Sequence, residues 1–250
     1  MGNQPFRDSV RSTIETGVST VTDVRFEPNT DTVVALVTLL ALWVIYFVQS
    51  ASESVASVLV FLLVGNLFLT VLFPIYYVCY VRSEPLSAVG ITADGWKRAL
   101  IASTIAALVL LPGLLTVDEP LAVLLPHVVT VGLMIWEPLF VHGWLQIRFE
   151  RAFGAGLGIV LAAAAFVLFH VGSVALTGLV VLAVFGAVHA TLFRAFDRNL
   201  LVLWPILWAV GSSQGTLDSV VFGWEEASAY AVIVLVAGAA VYATMRRTSE

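Results

Sequence analysis

The sequence predicts an all-α bundle of about eight membrane-spanning helices with both termini cytoplasmic, and three observations carry that expectation. Of 250 residues, 60% are hydrophobic and 12% charged, whereas roughly a quarter of residues are charged in soluble domains. The apolar residues gather into runs of about 20, too long and too uniform for barrel strands of about 10 alternating residues. The few basic residues fall between those runs so that all of them end up on one side, as the positive-inside rule requires of a correct span count.

Residues 1–31 mix charged, polar and turn-forming residues with Pro5 and Pro28. They offer no apolar stretch for a signal-peptide core, so the first helix is expected to stay in place. Apolar runs follow at about 32–49, 56–81, 97–117, 120–147, 155–175, 178–193, 200–217 and 228–245. The sixth is the shortest. Arg7, Arg11 and Arg25 precede the first span, and Arg82, Lys97 and Arg98 lie between the second and third. Arg148 and Arg151 follow the fourth, Arg194 and Arg198 the sixth, and Arg246 and Arg247 the eighth. These twelve are all the Lys and Arg in the chain, and the opposite loops hold Glu53, Asp118, Glu119, Asp218, Glu225 and Glu226 instead. The connector from Arg82 to Arg98, with Pro85, Gly90 and Gly95, reads as cytoplasmic, its polar face and Trp96 at headgroup level. The chain divides into a polar segment (1–31), two N-terminal helices (32–81), a core (82–217) and an outer loop with the last helix and tail (218–250).

Composition excludes some functions directly. A net charge of -5 is wrong for a polybasic nucleic-acid binder, so the expected partners are the bilayer and molecules within it. Cys79 is the only cysteine, which leaves no intrachain disulfide and no cysteine-based zinc site.

An ionisable residue in the hydrocarbon region costs at least about 2.5 to 3.5 kcal/mol and needs a reason to be there. The fourth run contains His127, Glu137 and His142, the fifth His170 and the sixth His189. Glu137 precedes the cytoplasmic Arg148 by enough residues, at about 1.5 Å of rise each, to sit near mid-membrane. Pro138 follows it and deprives the Met134 carbonyl of its helical donor, so a kink beside the carboxyl is expected. Counted along a regular fifth helix, His170 reaches about the same depth. The pair offers a metal two ligands, or a water one base and one ligand, whereas catalytic zinc usually takes three from the protein. His142 and His189 lie nearer the cytoplasmic end, where they could form a separate polar pair. His127 lies toward the outer end, and Ser212, Ser213 and Gln214 match the depth of Glu137.

The stretch Trp136-Glu137-Pro138-Leu139-Phe140-Val141-His142-Gly143-Trp144-Leu145-Gln146 resembles the first motif of the CPBP intramembrane proteases, Glu-Glu-x-x-x-Arg followed by Gly, an aromatic residue, Leu and Gln. This family includes the type II CAAX-processing endopeptidases and bacteriocin-processing or immunity proteins. Phe166-Val167-Leu168-Phe169-His170 is similar to its second motif, Phe-x-x-x-His. Leu203-Trp204-Pro205-Ile206-Leu207 resembles the lead-in to the third, His-x-x-x-Asn, and Pro85 to Ile91 with Trp96 resembles the entry to the core. The likeness covers about residues 80–217.

The resemblance implies an intramembrane metalloendopeptidase in a multi-pass protein of the cell membrane. Glu137 would activate water near His170, on zinc or another divalent metal held by Glu137 and His170. The substrate would be a membrane-embedded or lipid-anchored peptide or protein. The chain departs from the pattern where the second Glu is Pro138, the Arg is His142, the third-motif His falls at Ala209 or Val210, and the Asn at Ser213 or Gln214. His142 would then stand in for the Arg as a partly cationic stabiliser. The same departures suit a non-catalytic descendant, a membrane scaffold or immunity-type binding protein. A small transporter is the third reading, weakened because Pro138 has no counterpart break in a second half.

Overall fold

The computed structural model describes residues 24–52, 54–115, 117–172, 174–218 and 220–248. Arg7, Arg11, Glu53 and most of the segment 1–31 lie outside the described residues. Among the described residues the chain is all helical, in eight segments: α1 Thr30–Ala51, α2 Val55–Val81, α3 Trp96–Leu115, α4 Leu121–Phe153, α5 Ala155–Leu168, α6 Leu176–Ala195, α7 Leu200–Gly211 and α8 Trp224–Thr248. Five of them (α1, α2, α4, α6 and α8) are long and apolar enough to cross a membrane, so this is a multi-pass integral membrane protein.

Helix α1 shows why. Asn29 and Thr32 cap it reciprocally, each side chain accepting the other's backbone N–H at 3.2 Å, with Asp31 in the first turn where the helix dipole favours an acid. Its buried face carries Ala35, Thr38, Leu39 and Leu42, and its outer face carries Val33, Val37, Leu40 and Val44. Both faces are apolar. In water the outer one would forfeit about 25 cal/mol for every Å² left exposed, whereas lipid imposes no such loss.

Two of the apolar runs are helical over less than their length, and their helices fall short of a candidate span. The run 155–175 is helical only to Leu168, and 200–217 stops at Gly211, turns, and adds one turn at Gln214–Leu217. At about 1.5 Å per residue, α5 covers some 21 Å of a hydrocarbon core about 30 Å thick. The fourth run instead extends to Phe153 and is interrupted at Met134 and Ile135.

The core sits between α1, α2, α4, the end of α5 and α8. Trp144, fully buried, donates from Nε1 to Thr38 Oγ1 at 3.0 Å and meets Phe73 and Tyr77 edge-on at 5.9 and 5.4 Å. Much of α2 and residues 139–146 of α4 are wound with i→i+5 bonds, a widening often found at functional places.

Among the described residues, basic side chains meet acidic partners from other segments. Asp31 binds Arg82, Glu84 binds Arg151, Glu150 binds Arg194 and Arg198, Asp197 binds Arg98, and the Arg247 guanidinium lies over Tyr80. Arg25 and Glu27 bond through their backbone N–H groups to Phe153 and Ala152. The connector between α2 and α3 departs from a surface reading: Val89 is fully buried against Gly143 of α4, and Arg148 donates to the Ala88 carbonyl at 2.9 Å. Trp96 is exposed.

Candidate functional site

The interruption in α4 sets the surroundings of Glu137. Pro138 has no N–H to give, the helix ending at Leu133 stops, and a new one starts at Trp136 with Ile135 as its cap. Glu137 therefore occupies the first turn of a helix, where backbone N–H groups and the dipole favour a carboxylate. It is partly buried and accepts no hydrogen bond or ion pair from any described residue. The Tyr46 and Tyr230 hydroxyls lie within electrostatic reach of it. These two are joined through Asn66, which is fully buried: Asn66 Nδ2 donates to Tyr230 at 2.9 Å and Tyr46 donates to Asn66 Oδ1 at 3.5 Å. Helices α1, α2 and α8 are thus joined by a chain of three neutral hydrogen-bonding side chains.

His170 lies just beyond the C-terminus of α5 rather than inside a regular helix. Its Nδ1–H donates to the Phe166 carbonyl at 2.7 Å, and its ring lies 4.2 Å from that of Phe169. Phe169 and Trp136, the residues preceding His170 and Glu137, have ring centroids 6.3 Å apart and both meet Tyr46. The two sequence candidates consequently flank one aromatic cluster. His170 arrives there because α5 is short, not because a long helix carries it to mid-membrane.

His142 belongs to a different group. It is 2% exposed, its Nδ1 is 2.8 Å from Gln146 Oε1, and its ring centroid is 6.2 Å from that of His189. Gln146 Nε2 donates to Glu150 Oε1 and to the Ala190 carbonyl, each at 2.8 Å. Glu150 Oε2 accepts from Arg198 at 2.7 and 2.9 Å. Residues 142, 146 and 150 share one face of α4 at helical spacing, so the chain of bonds runs along the helix toward the ionic end. The pairing of His142 with His189 was foreseeable from their common depth. The parts played by Gln146 and Glu150 were missed, although the spacing of four was visible.

The third-motif positions bring no histidine or carboxylate. Ala209, Val210 and Ser213 are partly buried, and Ser212 is buried with its hydroxyl unpartnered. The side chain of Gln214 lies outside what is described. His127 is fully buried between α4 and the outer turns, with Nε2 3.0 Å from the Gly211 carbonyl and the Phe222 N–H donating to Nδ1 at 3.3 Å. Among the described residues no three of His, Cys, Asp and Glu come together to hold a metal. A catalytic zinc takes three protein ligands, so the donor set around Glu137 and His170 does not fit one.

No family model matches the chain, and neither a curated protein nor a solved structure does. Chemically, the site at Glu137 offers a carboxyl at a helix break that is unpaired among the described residues and within electrostatic reach of two phenols. The site at His142 offers two imidazoles linked to an ion cluster.

Proposed function

We propose that this chain is an intramembrane hydrolase of the CPBP kind, in which Glu137 is the general base that activates a water against a peptide bond of a membrane-associated substrate. The observation that carries this reading is the state of Glu137: a carboxyl at a break within α4, partly accessible and without a hydrogen-bonding partner among the described residues. A purely structural glutamate would be expected to bond across the helices, since an orphaned buried acceptor costs about 1 to 3 kcal/mol. Irregular backbone at membrane depth is tolerated where it is buried in protein or lines water, and water is the co-substrate the reaction needs. Tyr230, whose oxygen accepts from Asn66, would in this reading donate its O–H to an oxygen that gains charge as the carbonyl is attacked. His170, on the far side of the Trp136–Phe169 pair, would position substrate or water. No step is assigned to a metal.

In this reading eight spans cross the membrane, with the gathered arginines on the cytoplasmic face. The short α5 and α7 cross with the help of their flanking turns. The substrate enters from the lipid as a membrane-embedded or lipid-anchored chain.

The second reading, a non-catalytic membrane scaffold or immunity-type binder, is favoured by one observation: His142, in place of the motif's arginine, is committed to Gln146. Purified protein assayed against membrane-anchored peptides separates the two. Cleavage that disappears in Glu137→Gln supports the hydrolase, and cleavage that survives it refutes the assignment.

A further inference from the structure

The group on the other face of α4 has a chemistry that the hydrolase reading leaves unused. His189 is 1% exposed, and neither of its ring nitrogens has a hydrogen-bond partner among the described residues. Leaving such a group unsatisfied costs about 1 to 3 kcal/mol, so it calls for an occupant. His142, its neighbour, is held in a defined tautomer. Gln146 spends its amide N–H groups on two acceptors, Glu150 Oε1 and the Ala190 carbonyl, so the oxygen Oε1 is what faces His142. Nδ1 of His142 must then donate, and in the neutral ring Nε2 keeps its lone pair. A ring N–H held by an outer-shell acceptor, with the other nitrogen bare, is the arrangement of metal-ligating histidines.

The spacing suits an ion shared by the two rings. With metal–nitrogen bonds of about 2.0–2.1 Å, two imidazoles on one ion hold their centroids about 5 to 6.5 Å apart, widest when the three atoms are nearly in line. The observed separation is 6.2 Å. Charge and ligand count choose the ion. The surrounding rings are Phe185 and Phe193, and the carboxylate linked to His142 through Gln146, Glu150, is already paired with Arg194 and Arg198. No third His, Cys, Asp or Glu joins the pair among the described residues. Zinc(II) demands four ligands and carries two charges into this apolar place, whereas a monovalent d10 ion needs only two ligands.

We propose that His142 and His189 form a two-imidazole site for a monovalent d10 metal ion, copper(I), with Gln146 and Glu150 orienting His142 from behind. The site is separate from Glu137 and stands whether or not the chain is a hydrolase.

The test uses full-length protein in detergent, carrying Cys79→Ser to remove the only thiol, titrated with silver(I) as a redox-inert probe and with copper(I) under reductant. One equivalent per chain is expected, with X-ray absorption reporting two nitrogen neighbours and no sulfur. His189→Phe, which keeps the volume beside Phe185, should abolish binding, and Gln146→Leu should weaken it about 10–100-fold. Glu137→Gln should leave it unchanged. If the histidine variant is not monodisperse, the absorption spectrum of the otherwise unaltered site decides. No stoichiometric binding, a sulfur neighbour, undiminished binding in a monodisperse His189→Phe, or a preference for zinc(II) would each overturn the proposal.

Discussion

Replacing Gly143 by alanine tests how the connector between α2 and α3 is seated. A Cβ there would meet the Val89 carbonyl oxygen well inside van der Waals contact, with the Val89 carbonyl carbon at 3.2 Å and Leu139 Cδ1 at 3.3 Å. The obstacle is backbone, which cannot rotate aside, so the connector has to lift. Lifting strains the core, at about 1–3 kcal/mol for overpacking. It also stretches the bond from the buried Arg148 guanidinium to the Ala88 carbonyl, a hydrogen bond of a charged donor valued at about 1.5–3 kcal/mol. Against this, alanine is better than glycine within a helix by about 0.5–1 kcal/mol. The net expectation is a loss of about 1.5–5.5 kcal/mol. Gly238 in α8 is the control, because a Cβ there meets nothing within 4 Å and only the propensity gain remains. Unfolding in mixed micelles as a function of the denaturing detergent fraction should rank Gly143→Ala well below the parent and Gly238→Ala at or above it. Equal stability of the two variants would refute the packing argument.

The Glu150 cluster should respond asymmetrically. Arg198→Ala leaves a carboxylate with 2% exposure facing only Gln146 and a longer contact to Arg194, and is expected to cost about 2–4 kcal/mol. Glu150→Gln frees two arginines that are each about a third exposed and can turn to water, at about 1 kcal/mol, and the same micelle titration reads both. Orientation is tested in a Cys79→Ser background with single cysteines at Asp197 and Glu225. A membrane-impermeant maleimide should label the second from outside and the first only after permeabilisation. Phe169→Ala removes a fully buried ring that touches Trp136, Tyr46, Phe166 and His170, and should lower stability by about 3–5 kcal/mol.

How much of this was legible in the sequence depends on the residue. Charge is so scarce that each charged side chain had one sensible location, and the contacts of Arg82, Arg98, Arg151 and Arg198 with acidic partners from other loops agree with the expected grouping. Pro138 announced the break in α4, because a missing N–H has a local and predictable consequence. The end of α5 was not announced. Apolar residues continue past Leu168, and hydropathy registers transfer into lipid rather than helical geometry, so His170 was placed inside a helix that has already ended. The Gly172 that follows, with φ of +103°, was the available warning. Tyr46, Asn66 and Tyr230 were invisible as a group. They are neutral, come from three helices and meet only through tertiary packing, which no spacing along the chain encodes. The burial of Val89 against Gly143 was hidden for the same reason.

Everything functional turns on whether the unpaired carboxyl at the helix break does chemistry. The decisive measurement is single-turnover cleavage of a membrane-anchored peptide library by the purified protein in liposomes, comparing the parent with Glu137→Gln. Glutamine keeps the shape of the side chain and removes its basicity. Cleavage by the parent that falls by at least about a hundredfold in the variant, with both proteins equally folded, is the expected result, since a general base contributes about 10²–10⁴ in rate. Equal cleavage by both proteins, or no cleavage by the parent under any condition that preserves its fold, would contradict the account and leave the scaffold reading in its place.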